Sequence, residues 1–204
     1  ADLRTMFGGI SIEFVPLAVC IKEGVVRALK LRDVFIIDAG GKETQLMLIK
    51  EGRLIHAASF PLGADVLAEE GSSPMREQGR ATVRQNPERP ENTNETDEID
   101  HLLAQRSNAW RERLQTELDS FYFAGALPAD ILLLGGGAAK PQIQSTLWAE
   151  DIVKNFIYKD SPRIQIITGA SFMGNSALDG LLRAAQDAGT AALIYYSLNH
   201  KPLF

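Results

Sequence analysis

Phe35-Ile-Ile-Asp38-Ala-Gly-Gly41-Lys-Glu-Thr44-Gln-Leu46 and Asp130-Ile-Leu-Leu-Leu134-Gly-Gly-Gly137-Ala-Ala-Lys-Pro141 share one grammar: an apolar run, then glycines. Runs this continuous are strands covered on both faces. The glycines lack a Cβ, so their backbone can approach a ligand closely. In the first stretch the strand delivers Asp38 to its own end. Gly40 and Gly41 form the turn, and Thr44 offers a hydroxyl to the same anion. Asp38 then suits holding a metal-bound water or orienting an attacking one. In the second, Gly135, Gly136, Gly137 and Ala138 let a flat ring or a phosphate lie on the backbone. The helix that Pro141 opens favours negative charge at its start. Each stretch also has a plainer reading. The first can be a hairpin with Asp38 capping the turn, the second a tight strand–helix connection without a ligand.

Outward from these stretches the chain reads as α/β. Ile10 to Val15 alternates as a short strand. Pro16 opens a helix, as its fixed φ suits a first turn. Leu17, Ile21, Val25 and Leu29 form that helix's buried stripe. After Asp38, Leu46 to Ile49 and Leu54 to Phe60 are two further strands, with Gly52 in the turn between them. Three strands on tight turns make an antiparallel meander, which Pro61-Leu-Gly63 ends, and a helix is expected from Ala64 to Glu70. Gly71 to about Glu98 holds three prolines and no aromatic residue, the composition of a mobile loop. Order resumes with Ser107 as a helix N-cap. Trp110, Leu114, Leu118 and Phe121 form the buried face of that helix, and Gly125 stops it. Pro141 to Trp148 is a short helix, Ile164 to Ile167 a strand. Ser176 to Ala185 is a helix with Ala177, Leu178, Leu181, Leu182 and Ala185 inward. Ala191 to Asn199 is a final core strand or helix.

Composition bounds the function. A net charge of −5 argues against a nucleic-acid surface, which would be basic. The single cysteine, Cys20, excludes an internal disulfide and sits in the apolar run Leu17 to Ile21, where a reduced core thiol is expected. His56, His101 and His200 have no metal-ligand spacing. No apolar run is long enough to span a bilayer. The start of the chain does not read as a signal peptide. A cytoplasmic protein is expected, free or peripheral at the inner face of the membrane. Residue 1 is not methionine, so the chain is expected to be trimmed or part of something longer.

The two stretches, in this order, resemble the actin-like ATPase superfamily. Asp38 to Thr44 resembles its second phosphate loop and Gly135 to Pro141 its adenosine loop. Gly52-Arg-Leu-Ile-His56 and Ser59-Phe-Pro-Leu-Gly-Ala-Asp65 look like the hairpin and helix start of the FtsA/PilM branch. Glu13-Phe-Val-Pro-Leu-Ala18 and Val25 to Leu29 look like the segment leading into the phosphate loop. Ser176 to Leu182 resembles the last helix, which closes the fold against the phosphate loops. The resemblance covers roughly residues 10–70 and 107–185. Lys42 and Glu43 depart from it, standing where glycine or threonine is usual.

The resemblance implies a ribonuclease-H-like fold in two facing halves with ATP and magnesium between them. Residues 1–204 would be one half-domain, the C-terminal one, with a mixed sheet, the meander and flanking helices. Residues 71–106 would be a flexible insertion or a degenerate small subdomain. Asp38 would be catalytic and would hold magnesium through water. Gly40, Gly41 and Thr44 would bind phosphate, and Gly135, Gly136, Gly137 and Ala138 the adenosine. Proteins of this branch recruit partners in type IV pilus assembly or cell division. The implied partners are therefore proteins of such assemblies, plus a missing N-terminal half or a second copy, and not nucleic acid. ATPase activity is expected only once an N-terminal half completes the site. Two other readings stand beside this one. One is an exopolyphosphatase or sugar kinase of the same superfamily, although phosphatases place a glutamate where this chain has Gln45. The other is a degenerate docking module without nucleotide.

Overall fold

The computed structural model describes residues 14–67, 93–148, 156–173 and 181–200. Five strands form one sheet: β1 Val34–Ala39, β2 Thr44–Lys50, β3 Arg53–Phe60, β4 Asp130–Leu134 and β5 Arg163–Ile166, in the order β3-β2-β1-β4-β5. The first three are the antiparallel meander, while β4 runs parallel to β1 and β5 parallel to β4. The fold expectation of a mixed sheet with a meander and flanking helices is thus met.

Period-two alternation explains the continuous apolar runs, because each central strand feeds two cores. Phe35, Ile37, Leu46, Leu48, Ile131 and Leu133 pack on one face, against Trp110, Leu114 and Leu118. Those three lie on α2, Thr93–Asp119. Ile143 and Leu147 of α3, Pro141–Trp148, complete that layer. Val34, Ile36, Met47, Ile49, Leu132 and Leu134 pack on the other face, against α1, Leu17–Arg27, and α4, Ala188–Asn199. Cys20 is buried in this second core and forms no disulfide.

The edge strands differ, as their setting demands. β3 alternates exposed and half-buried residues, and its ladder with β2 shifts register between Leu48 and Ile49. The turn from β2 to β3 takes Glu51 and Gly52 both to positive φ, 54° and 77°. Such a pair matches the twist of a tight hairpin.

Several sequence expectations are corrected. Ser107 does not cap a helix. α2 begins at Thr93, and the Ser107 hydroxyl donates to the Leu103 carbonyl one turn back, at 2.8 Å. Residues 93–106 are therefore helical rather than part of a flexible insertion, while 68–92 lie outside the described residues. α2 ends at Asp119, before Gly125, which instead follows a 3-10 turn at Tyr122–Ala124. Residues 181–184 are not helical, and Leu181 faces solvent instead of the core. The remainder of the helix expected from Ser176 lies outside the described residues, as does most of the strand expected from Ile10. The helix expected from Ala64 is described as a 3-10 turn, Ala64–Leu67. Leu17 is 39% exposed rather than buried.

Candidate functional site

The parallel strands β1 and β4 end side by side, and their carboxyl ends carry the two glycine segments. In open α/β sheets this edge is where ligands bind. Asp38 stands opposite Leu134 of β4 on one side and Gln45 of β2 on the other. It marks the place where parallel pairing gives way to antiparallel. Gly135, at φ 88°, carries the chain directly over it. A Cβ on Gly135 would lie 2.5 Å from both Asp38 Oδ1 and the Ala39 carbonyl oxygen. No side chain fits there, which is the physical reason for glycine at that position.

A cleft of about 500 Å³ opens at this edge. Asp38, Gly40 and Gly41 form one wall and Gly135 and Gly136 a second. Leu17 of α1 and Gln186, Gly189, Thr190 and Leu193 at the start of α4 form the third. The size lies within the roughly 300–1,000 Å³ of small-molecule sites. The Gly135 amide donates to the Ala185 carbonyl at 3.1 Å, which fixes the start of α4 against the second glycine segment.

The structure brings Asp38, Gly40, Gly41, Gly135 and Gly136 together, and it separates the other expected residues from them. Thr44 is fully buried on the opposite face of the sheet. Its hydroxyl donates to the Leu62 carbonyl at 2.7 Å and accepts from the Trp110 indole at 3.0 Å. Strand parity is the cause. Thr44 alternates with Leu46 and Leu48, which face α2, whereas Asp38 alternates with Ile36 and Val34, which face α1 and α4. Thr44 is not among the residues that line the cleft. Gly137 and Ala138 are buried and lie outside the lining. Gly137 packs against Ile143 and Ala39.

The third wall was missed in the sequence. Leu17 was placed in a core stripe, and Gly189 and Thr190 were passed over. The signal lay in Ala188-Gly-Thr-Ala-Ala192, a run of small residues that lets a helix start approach another backbone.

Burial, with the Glu43 carboxylate adding to it, pushes Asp38 up to about 6. Among the described residues that line the cleft, Asp38 is the one that carries a charge. ATP and magnesium fit this arrangement in a specific sense. Bare glycine backbone at Gly40, Gly41, Gly135 and Gly136 admits a charged or flat group. A phosphate there would face an uncompensated carboxylate, and a magnesium ion between them would relieve the repulsion. Magnesium is commonly held by one or two carboxylates plus substrate phosphates, keeping several waters. Among the described residues no group of three or more His, Cys, Asp or Glu could cage a metal alone.

No protein-family model and no curated protein matches the chain. Among solved structures it is similar to a chain of a PilM–PilN type IV pilus biogenesis complex. That match has 14% identity and a TM-score of 0.55, and covers 91% of this chain and 53% of the other. Component A of (R)-2-hydroxyglutaryl-CoA dehydratase from Acidaminococcus fermentans has 15% identity and a TM-score of 0.49, with 95% and 71% covered. The activator of 2-hydroxyisocaproyl-CoA dehydratase from Clostridium difficile, a structure with bound ADPNP, has 17% identity and a TM-score of 0.48, with 96% and 74% covered. Likenesses at this identity speak for the fold alone, and the fold is that of the actin-like ATPases. The chain spans about half the length of the PilM–PilN chain it matches.

Proposed function

We propose that the chain is the nucleotide-binding half of an actin-like scaffold, of the kind that recruits protein partners in pilus or division assemblies. ATP would place its phosphates at Gly40 and Gly41 and its adenosine at Gly135 and Gly136. One observation carries this reading: both glycine segments and Asp38 line a single cleft at the carboxyl edge of the parallel strands. Magnesium, when bound, would supply charge neutralisation for the phosphates. Asp38 would hold it through water. With its carboxyl at about 6, Asp38 is charged at neutral pH and able to do so.

Turnover is a separate matter. Phosphoryl transfer rests on positioning and on charge stabilisation around the transferred group. Among the described residues the cleft's lining offers no basic side chain. A second half, supplied by chain outside residues 1–204 or by a partner, would have to furnish one. The phosphatase reading fares worse. Gln45, opposite Asp38 in the β1–β2 ladder, has no ionisable group to serve as base.

Displacement of a fluorescent ATP analogue, with and without magnesium, tests the proposal. The expected result is weak, magnesium-dependent binding, abolished in Asp38→Ala, with no phosphate released from ATP or polyphosphate. Absence of binding under every condition would leave the docking-module reading in its place. Polyphosphate hydrolysis would replace it with the phosphatase.

A further inference from the structure

Building on the nucleotide reading above, we propose that Trp110 is a positioning residue for the glycine turn of the cleft, acting through Thr44. Neither residue lines the cleft. Both are fully buried, and they form a relay that ends at the turn.

The relay has three links. An indole N–H can only donate, so at 3.0 Å from Thr44 Oγ1 it occupies an acceptor position of that hydroxyl. The hydroxyl proton is thereby committed to the Leu62 carbonyl, 2.7 Å away. Leu62 leads into Gly63, Ala64 and Asp65. The amides of Ala64 and Asp65 donate to the carbonyls of Gly40 and Gly41, both at 2.8 Å. Contact there is close: a Cβ on Gly63 would lie 2.5 Å from the Gly40 carbonyl oxygen and 2.4 Å from that of Gly41.

Pinning those two carbonyls fixes two amides. In a planar trans peptide the N–H points opposite to the C=O. With the Gly40 and Gly41 carbonyls turned into the 63–65 backbone, the amides of Gly41 and Lys42 point away from it. Neither amide has an acceptor among the described residues. They are the donors that a phosphate at the turn would meet, and their direction is set from the far side of the sheet by Trp110. A phenylalanine would fill the same core position without setting it.

The experiment uses Thr44→Val, which removes the hydroxyl at constant shape, Trp110→Phe, which removes the indole N–H together with part of the ring volume, and Thr44→Ser, which keeps the hydroxyl. Amide hydrogen exchange in the ligand-free chain is read first, at Ala64 and Asp65 against Met47 and Leu132 as sheet controls. Thr44→Val should accelerate exchange at Ala64 and Asp65 on the order of tenfold beyond the controls. Trp110→Phe should do so by less, and Thr44→Ser should behave as wild type. Affinity is read second. Thr44→Val should weaken magnesium–ATP on the order of tenfold and leave adenosine unchanged. Unchanged exchange at Ala64 and Asp65 in folded Thr44→Val and Trp110→Phe overturns the relay, and so does a rise shared equally by the controls. Selective exchange in a chain that binds no nucleotide upholds the relay and removes the nucleotide reading instead.

Discussion

Asp38→Asn should make the protein more stable at neutral pH and slightly less stable at pH 4. The folded carboxyl titrates at about 6, against an ordinary value of 3.8, because burial disfavours its charge and Glu43 repels it. Between those values the folded state holds a proton that the unfolded chain has released. Stability from this group is therefore fully present below about pH 4 and declines as pH rises, with the loss complete above pH 6. A shift of about two units at roughly 1.4 kcal/mol each amounts to about 3 kcal/mol. Asparagine carries no charge to desolvate, but its amide protons want acceptors, which offsets roughly 1 kcal/mol. The net expectation is a variant more stable by about 2 kcal/mol above pH 7 and less stable by about 1 kcal/mol near pH 4. Urea unfolding midpoints across pH 4 to 8 measure this directly. A gap that is constant with pH, or absent at pH 8, would refute a buried, destabilising carboxylate at this edge. A gap that opens between about pH 4 and 6 and stays constant above that marks a charge retained at a cost in stability, as binding sites often retain theirs.

Four further outcomes are expected. A Cβ at Gly136 would meet only Gln186, at 3.9 Å, so Gly136→Val should leave stability within about 1 kcal/mol and block the cleft. At Gly137 a Cβ would sit 2.7 Å from Ile143 Cδ1, so Gly137→Ala should cost about 1–3 kcal/mol in a denaturant melt. Trp110→Ala should cost about 3–5 kcal/mol, read by the same melt, since the ring is wholly buried. Cys20 should react with a thiol reagent only at the rate of unfolding, because the folded core excludes the reagent.

The central sheet was legible because its signal is local. Val34 to Ile37 and Ile131 to Leu134 are apolar without interruption, and only strands packed on both faces look so. Gly52 announced its turn, although Glu51 at φ 54° did not, since nothing in a glutamate signals a left-handed backbone. The start of α2 was hidden by its own composition. Thr93 to Asp100 is mostly polar and shows no apolar periodicity, and the apolar stripe of the helix, Trp110, Leu114 and Leu118, lies far along it. Ser107 imitates a cap in sequence, yet its hydroxyl bonds to Leu103 as hydroxyls inside helices can. That Asp38 and the glycines stand at strand ends is legible in their pattern; that Thr44 faces the opposite side of the sheet takes one further step of strand parity. The wall from Gln186 to Leu193 could not be placed at all, because only tertiary packing brings α4 to Gly135.

The claim that both glycine segments serve one ligand is tested most directly by titrating isotope-labelled protein with magnesium–ATP and following backbone amide resonances. The account predicts shifts confined to Gly40, Gly41, Lys42, Gly135, Gly136 and Gly189, reached at millimolar nucleotide and lost when magnesium is chelated. Shifts at only one of the two glycine segments, or none at either, would contradict it.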